Sequence, residues 1–357
     1  MSVPIGPARA SVIGTGLIGG SIGLALRAQG WLVTGTDADP SSEARALELG
    51  AIDAVGLDPD AAVTFVAAPV RAIAAEARRA LAATTGAVTD VGSVKAPVVA
   101  AIDHPRFVGG HPMAGSEQLG VDGASPDLFE GAVWVLTPVA GTDSDRFATV
   151  ASVVRGLGAE VVALSPERHD ALVAVVSHVP HLTAAALMGI ADERAEEHAA
   201  LLRLAAGGFR DMTRIAAGTP TIWPDICSEN RDAILEVIDR LGDELGRLRA
   251  MVADHDRERL LATLERAQVA RRNLPSRVAQ PGDVAELRVP VPDREGALAE
   301  VTTLAAELGV NIADLEIAHS SEGDRGVLIL LVPTTGAEAF RAGLVDRGYR
   351  PAVRTLT

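Results

Sequence analysis

Gly14-Thr15-Gly16-Leu17-Ile18-Gly19 stands between a β-branched run and an apolar stretch of helical character. That order of strand, glycine turn and helix decides the fold. The glycines allow a tight turn and let a pyrophosphate rest on the N-terminus of the helix that follows. Asp37, 23 residues after Gly14, ends the next β-branched run. A carboxylate there accepts hydrogen bonds from the adenosine ribose hydroxyls and repels a 2′-phosphate. The stretch therefore reads as a dinucleotide site that selects NAD over NADP, built from Gly14, Gly16, Leu17, Ile18, Gly19 and Asp37. Ala67-Ala68-Pro69 closes the third strand. Small residues at Ala68 and Pro69 let a nicotinamide lie near the backbone, and they serve equally as ordinary strand-to-helix punctuation.

Outward from this turn, residues 9–164 alternate β-branched runs with Ala-rich helical stretches, the βαβ rhythm of a parallel sheet. The predicted strands are 10–13, 31–35, 63–67, 87–91, 106–108, 133–136 and 160–163. Ser165 reads as an N-cap with Pro166 at the first helical position. From there to 273 apolar residues recur at helical spacing, as in Ile234, Val237, Ile238, Leu241, Leu245, Leu248 and Val252. An apolar stripe on a long, otherwise charged helix needs a surface to pack against, and a second copy of the same region supplies one. A homodimer through the helical domain is expected. Two prolines, a glycine and polar residues make 275–282 a linker. Residues 283–357 then repeat a βαββαβ pattern suited to a small α+β domain. The fold class is thus α/β, with a Rossmann-type dinucleotide domain over 1–164, a helical domain over 165–274 and the small domain at the C-terminal end.

Composition narrows the function classes. With 357 residues, 48% of them hydrophobic, the chain buries two or three cores. A net charge of −15 argues against nucleic acid as a partner, because phosphate binding draws on clustered cations. The Arg271-Arg272 pair instead ends a helical pattern, where cations complement the helix dipole. Cys227 is the sole cysteine, so neither a disulfide nor a cysteine-based metal site is available, which fits a reducing cytoplasm. No uninterrupted apolar run approaches the about 20 residues of a membrane span, and no signal-peptide core precedes the first strand, so no membrane partner is expected. Lys95 is the only lysine; every other basic position is arginine.

Gly109-Gly110-His111-Pro112-Met113-Ala114-Gly115-Ser116-Glu117 holds an imidazole in a small-residue loop after a short apolar run. An imidazole with an ordinary pKa of about 6.5 accepts a proton at neutral pH, which makes His111 a candidate general base. Asp90-Val91-Gly92-Ser93-Val94-Lys95 ends the fourth strand. Ligands of open α/β sheets bind outside the carboxyl ends of strands, where Ser93 and His111 both fall. Ser93 has two readings, an N-cap and a substrate contact, and one hydroxyl can serve both. His169, His178 and His181 are spaced as metal ligands could be, but no acidic or cysteine partner stands at a matching offset, so no metal site is expected. Arg214 either pairs with Asp211 at helical i,i+3 spacing or forks a substrate carboxylate.

Residues 14–19, 90–95, 110–117, Leu128-Phe129-Glu130-Gly131 with Leu136-Thr137-Pro138, 165–170, 177–181, 209–215 and 222–226 together resemble the prephenate dehydrogenase family of tyrosine biosynthesis, which includes arogenate dehydrogenases. The resemblance covers essentially the whole chain. It implies NAD-dependent oxidative decarboxylation of prephenate to 4-hydroxyphenylpyruvate, in a cleft between the dinucleotide and dimerisation domains. His111 would take the ring hydroxyl proton and Ser93 would orient the reacting groups. Arg214 would bind a carboxylate and His181 and Ser116 would contact substrate, while Glu117, Asp211 and Trp223 would shape or gate the site. The segment around Val289–Leu298 and Val310-Asn311-Ile312 resembles an ACT domain, a small-ligand-sensing module, with Glu295 where that pattern commonly has proline. An amino acid effector, tyrosine foremost, is implied around Asp293, Gly296, Ala297, Leu298 and Asn311. Arogenate is the alternative substrate, and a non-catalytic sensor of NAD and amino acids a remoter alternative. The 3-hydroxyacid dehydrogenases share the dinucleotide fold but would need a lysine in the helical domain, which has none.

Overall fold

The computed structural model describes residues 7–115, 118, 120–195, 205, 207–273, 284–292, 294–319 and 325–355. The chain forms two compact units, one of Met1–Gly189 with Arg214–Glu244 and one of Ile190–Thr213 with Leu245–Thr357. The expected linker over 275–282 lies outside the described residues.

The first unit is built on eight strands: β1 (Arg9–Ile13), β2 (Leu32–Thr36), β3 (Ala54–Val55), β4 (Val63–Val66), β5 (Ala87–Asp90), β6 (Phe107–Pro112), β7 (Val133–Thr137) and β8 (Glu160–Ala163). They lie in the order β3-β2-β1-β4-β5-β6-β7-β8. β4 and β5 are buried along their whole length, as strands covered on both faces must be. The chain leaves β1 for β2 on one side and reaches β4 on the other, which opens a crevice at the carboxyl ends of β1 and β4. Trp134, fully buried, packs edge-on to Phe65 at 6.2 Å and against Phe129 at 5.0 Å, joining the second half of the sheet to the first.

Two expectations are corrected here. The sheet is not wholly parallel: β7 runs antiparallel to β6, with β8 parallel to β7. Among the described residues the segment from Pro112 to Val133 holds only the 3-10 turn Val121–Gly123 and no crossover helix, so the strand returns antiparallel. In consequence His111 lies on β6, paired with Val135 of β7, and not in a loop.

Ser165 caps the next helix as expected, accepting from the Arg168 amide at 3.2 Å with Pro166 behind it. Pro166–Val173 is α-helical, Ala174–His178 forms a π turn, and Val179–Ala195 resumes the α-helix. The stretch Pro166–Glu193 is 28 residues long with a mean hydropathy of 1.6 over its most apolar 18-residue window, enough by length and composition to cross a membrane. It is not an uninterrupted apolar run, because His178, Pro180 and His181 break the run while the average stays high. Its polar side chains His169, Asp170 and His178 are all buried within the protein.

The second unit carries β9 (Val284–Pro292), β10 (Asp314–His319), β11 (Arg325–Pro333) and β12 (Ala352–Thr355) in an antiparallel sheet ordered β10-β11-β9-β12. Ala285, Leu287, Val289 and Val291 of β9 alternate inward onto helices Ala297–Glu307 and Thr334–Asp346, which present Val301, Leu304, Phe340 and Leu344. The expected βαββαβ order is observed.

Candidate active site

The glycine turn is shaped by steric necessity. Gly14 has φ +88°, and a Cβ there would lie 2.2 Å from the Ala67 carbonyl oxygen, so the turn closes directly onto the end of β4. A Cβ on Gly19 would meet the Gly14 carbonyl oxygen at 1.8 Å. Gly16, which starts helix Leu17–Ala28 without a side-chain cap, has open space where a Cβ would point. The N-terminus of that helix carries no side-chain cap, the arrangement that can receive an anionic group. Leu17 and Ile18 form the half-buried first turn, and half-buried Ala68 and exposed Pro69 follow β4 across the crevice. Asp37 is anchored beside them. Its carboxylate accepts from Thr15 N at 2.6 Å and from Asp39 N at 3.0 Å, while Glu43 accepts from Asp37 N and Thr36 Oγ1, each at 2.8 Å.

At the carboxyl end of β5 the Asp90 carboxylate accepts from Gly92 N at 2.9 Å, from Gly110 N at 3.0 Å and from the Lys95 ammonium. Asp90 and Lys95 are both fully buried. Burial pushes the Lys95 ammonium below its ordinary pKa against the opposing pull of Asp90. The glycines before His111 serve this packing: a Cβ on Gly110 would lie 2.6 Å from the Asp90 carbonyl oxygen, and one on Gly109 would lie 2.3 Å from Thr137 Oγ1. Ser93 is half-buried in the bend after β5. It is not the helix cap, since the helix begins at Ala96 and its first amides, Lys95 N and Ala96 N, both donate to the Asp170 carboxylate at 2.8 Å.

His111 Nδ1 lies 2.8 Å from His169 Nε2, and His169 Nδ1 lies 2.7 Å from Asp170 Oδ1. Burial, then the neighbouring His169, Lys95 and His178, hold His111 well below the usual histidine pKa. That direction favours the neutral imidazole, the form that accepts a proton. His178 Nδ1 accepts from Asn230 Nδ2 at 3.1 Å, and the same amide nitrogen donates to the Asp170 carbonyl oxygen at 2.9 Å. Burial brings the His178 pKa down to about 4. His169 and His178 are nine residues apart, two and a half turns of α-helix, which would point them to opposite sides. The π turn Ala174–His178 changes the phase and turns both inward.

Trp223 stacks on His181 at 3.6 Å and 12° and meets His178 edge-on at 6.1 Å. Arg71, in the first turn after Pro69, pairs with Asp225 at 3.0 Å and so holds the Trp223 helix beside the end of β4. A Cβ on Gly218 would lie 3.8 Å from His181 Cε1, which sets the turn that starts at Arg214 over this imidazole. Arg214 is exposed. Asp211 is exposed on helix Gly207–Thr213, in the other unit, and Ser116 and Glu117 lie outside the described residues.

Residues 22–163 match the family description "Prephenate dehydrogenase, nucleotide-binding domain", and residues 165–266 match "Prephenate dehydrogenase, dimerization domain". The chain belongs to the prephenate dehydrogenase family. A prephenate dehydrogenase of Bacillus subtilis (strain 168) is 36% identical over 333 residues, covering 88% of this chain and 89% of that protein. The solved structure of prephenate dehydrogenase from A. aeolicus in complex with hydroxyphenyl propionate and NAD+ superposes with a TM-score of 0.71 at 31% identity, over 76% of this chain and all (100%) of the other. Synechocystis arogenate dehydrogenase gives a TM-score of 0.65 at 30% identity, over 75% and 100% of the two chains.

For this member of the prephenate dehydrogenase family, sequence reasoning names the glycine turn, Asp37 and His111 as candidates but leaves the buried network behind His111 unassembled. Lys95 stands out only as the single lysine, His169 and His178 stand as imidazoles without a metal, and Asn230 is not singled out. Two signals were available: the single lysine of the chain, and a histidine followed directly by an aspartate within the first turns after Ser165. In the second unit Gly296 begins helix Ala297–Glu307 with φ +84°, Ala297 is buried, Leu298 and Asn311 are exposed, and Asp293 lies outside the described residues. A cavity of about 610 Å³ opens near this turn, lined by Arg294, Glu300, Arg347 and Tyr349 among others.

Proposed function

We propose that the chain catalyses NAD-dependent oxidative decarboxylation of prephenate to 4-hydroxyphenylpyruvate. The observation that carries this reading is a half-buried His111 on the strand beside the Asp90–Lys95 loop, hydrogen-bonded to His169, in the same unit as the glycine turn. Bound NAD supplies the acceptor for the hydride leaving the ring carbon that bears the hydroxyl. His111 takes the hydroxyl proton as that hydride departs. Loss of CO2 sends the electrons of the broken C–C bond into the ring, which becomes aromatic, and the proton returns to the phenolate oxygen. Ser93 orients the reacting groups, and Arg214 forks a substrate carboxylate with His181, Trp223, Ser116, Glu117 and Asp211 shaping the rest of the site. Proton transfer by a positioned base contributes about 10²–10⁴-fold, and holding donor and acceptor in register supplies much of the remainder.

Gly14, Gly16, Leu17, Ile18 and Gly19 would hold the pyrophosphate, Ala68 and Pro69 the nicotinamide half, and Asp37 the adenosine ribose. Prephenate is preferred to arogenate here because the more identical relative is a prephenate dehydrogenase. The domains we assign are 1–164 for the cofactor, 165–274 for dimerisation and substrate, 275–282 as linker and 283–357 as a regulatory ACT domain. Exposed Leu235, Ile238, Leu245 and Val252 on helix Arg231–Ala253 support a homodimer, and the turn at Gly296 supports an amino acid effector, tyrosine foremost. NADH formation measured with prephenate and arogenate, each with NAD and NADP, tests the reading. Reduction of NAD with prephenate at the highest kcat/KM is expected. No reduction with either substrate would leave the sensor reading in its place.

A further inference from the structure

We infer that Asp170 and His169 are a positioning relay that fixes His111 with its proton on Nδ1, so that Nε2 carries the lone pair presented to substrate. The proposal rests on the reading of His111 as the general base and deepens it.

The argument is a count of donors and acceptors. The Asp170 carboxylate accepts from two backbone amides, Lys95 N on Oδ1 and Ala96 N on Oδ2, each at 2.8 Å. An amide N–H can only donate, so both oxygens serve as acceptors, the role an ionised carboxylate fills with no proton of its own to place. His169 Nδ1 approaches Oδ1 at 2.7 Å, a separation that requires a proton on that nitrogen. A neutral imidazole with Nδ1–H offers a lone pair at Nε2, and that lone pair faces His111 Nδ1 at 2.8 Å. His111 Nδ1 must then donate. The same count leaves its Nε2 unprotonated, as a base requires. His169 is fully buried and Asp170 nearly so, and the two contacts to Asp170 and His111 account for both ring nitrogens of His169. Asn230 fixes the base of the relay through the Asp170 carbonyl oxygen. Because Asp170 also caps the helix after β5, one carboxylate sets both the Ser93 bend and the tautomer of the base.

The spectroscopic test uses the full chain with NAD bound, its eight histidines labelled with ¹⁵N in the ring. The signal lost in His111→Asn assigns His111. At neutral pH His111 should show a protonated Nδ1 and an unprotonated Nε2, and in His169→Leu it should become a mixture of tautomers. In turnover, His169→Leu should lower kcat about 10- to 100-fold, part of the range a general base contributes, with KM for prephenate little changed. His169→Gln, whose amide oxygen can accept from His111 Nδ1, should recover most of that loss. A protonated Nε2 in the wild type overturns the relay, and so does unchanged kcat in His169→Leu. If His111→Asn itself keeps normal kcat, the base assignment has failed. If His111→Asn is inactive while His169→Leu is fully active, only the relay has failed.

Discussion

Lys95→Met removes the ammonium from a side chain with 0% exposure and strands the equally buried Asp90 carboxylate. Breaking one side of a buried pair costs about 3–5 kcal/mol, because the remaining charge keeps its desolvation penalty and loses its compensation. Here Asp90 retains two donors, Gly92 N and Gly110 N, so the lower end, about 3 kcal/mol, is expected. All three tryptophans, Trp31, Trp134 and Trp223, belong to the first unit, so fluorescence during urea unfolding reports on that unit. A loss of this size should lower the midpoint by about 1 M or more. Asp90→Asn combined with Lys95→Met should cost less than the sum of the two changes, since each alone strands the other group. The pH profile moves too. Lys95 is one of the groups that, after burial and His169, hold the His111 pKa down. Without it that pKa rises toward 6.5, and since the base acts unprotonated, the acid limb of kcat/KM shifts to higher pH. Lys95→Arg keeps the charge but must fit a guanidinium where Cβ positions on Gly92 and Gly109 already come within 3.6 Å of Lys95 atoms, so it should stay destabilised. A Lys95→Met protein within about 1 kcal/mol of the wild type, with an unmoved acid limb, would refute the reasoning.

His111→Asn should lower kcat about 10²–10⁴-fold with the Kd for NAD unchanged, measured by turnover and by calorimetric titration. Arg214→Ala should raise KM for prephenate by about 10- to 100-fold, the equivalent of a charge-assisted contact of about 1.5–3 kcal/mol, and an unaltered KM would put the carboxylate elsewhere. Asp37→Ser should narrow the preference for NAD over NADP, by lower affinity for NAD as well as relief of repulsion, because Asp37 also anchors Thr15 N of the glycine turn. Equal use of both cofactors by the wild type would show that the ribose contact is misassigned. Tyrosine should inhibit the full chain, and Asn311→Ala, an exposed position in the second unit, should weaken that inhibition without changing kcat in its absence. Inhibition that is unaffected by the substitution would point to competition at the catalytic site.

The fold was legible wherever local pattern and tertiary environment agree. Strands buried on both faces are short and rich in small and β-branched residues, and the runs 63–67 and 87–91 match the observed strands to within a residue. β9 shows its alternation of Ala285, Leu287, Val289 and Val291 just as plainly. The edge pair Ala54–Val55 was not legible, since two exposed residues carry no period. The direction of β7 was not either: strand sequence records which face is buried but not which way the chain arrives. That direction puts His111 on a strand opposite Val135, so its backbone is fixed by pairing with β7 where a loop would have left it free.

The site was legible as residue types and illegible as an assembly, and the π turn shows why. Read at 3.6 residues per turn, His169 and His178 fall on opposite faces, and a helical wheel assigns at most one of them to the interior. The chain buries both, with exposures of 0% and 1%, by widening one turn at Ala174–His178. A widened turn costs backbone hydrogen-bond geometry, and such turns persist where tertiary contacts over-determine them. The contacts are those of one carboxylate and one amide: Asp170 holds Lys95 N, Ala96 N and His169, and Asn230 holds the Asp170 carbonyl oxygen and His178. Only Lys95 with Ala96 and His169 with Asp170 are neighbours in sequence, and the two pairs lie more than 70 residues apart, so no short window of the chain contains the network. What closes it is the sheet, which delivers Gly110 to Asp90 and thereby His111 to the far end of His169. The base is therefore placed by β5 and β6 and given its proton arrangement by a helix that begins more than 50 residues later, which is why substitutions at His169 should alter kcat while leaving the cofactor site untouched.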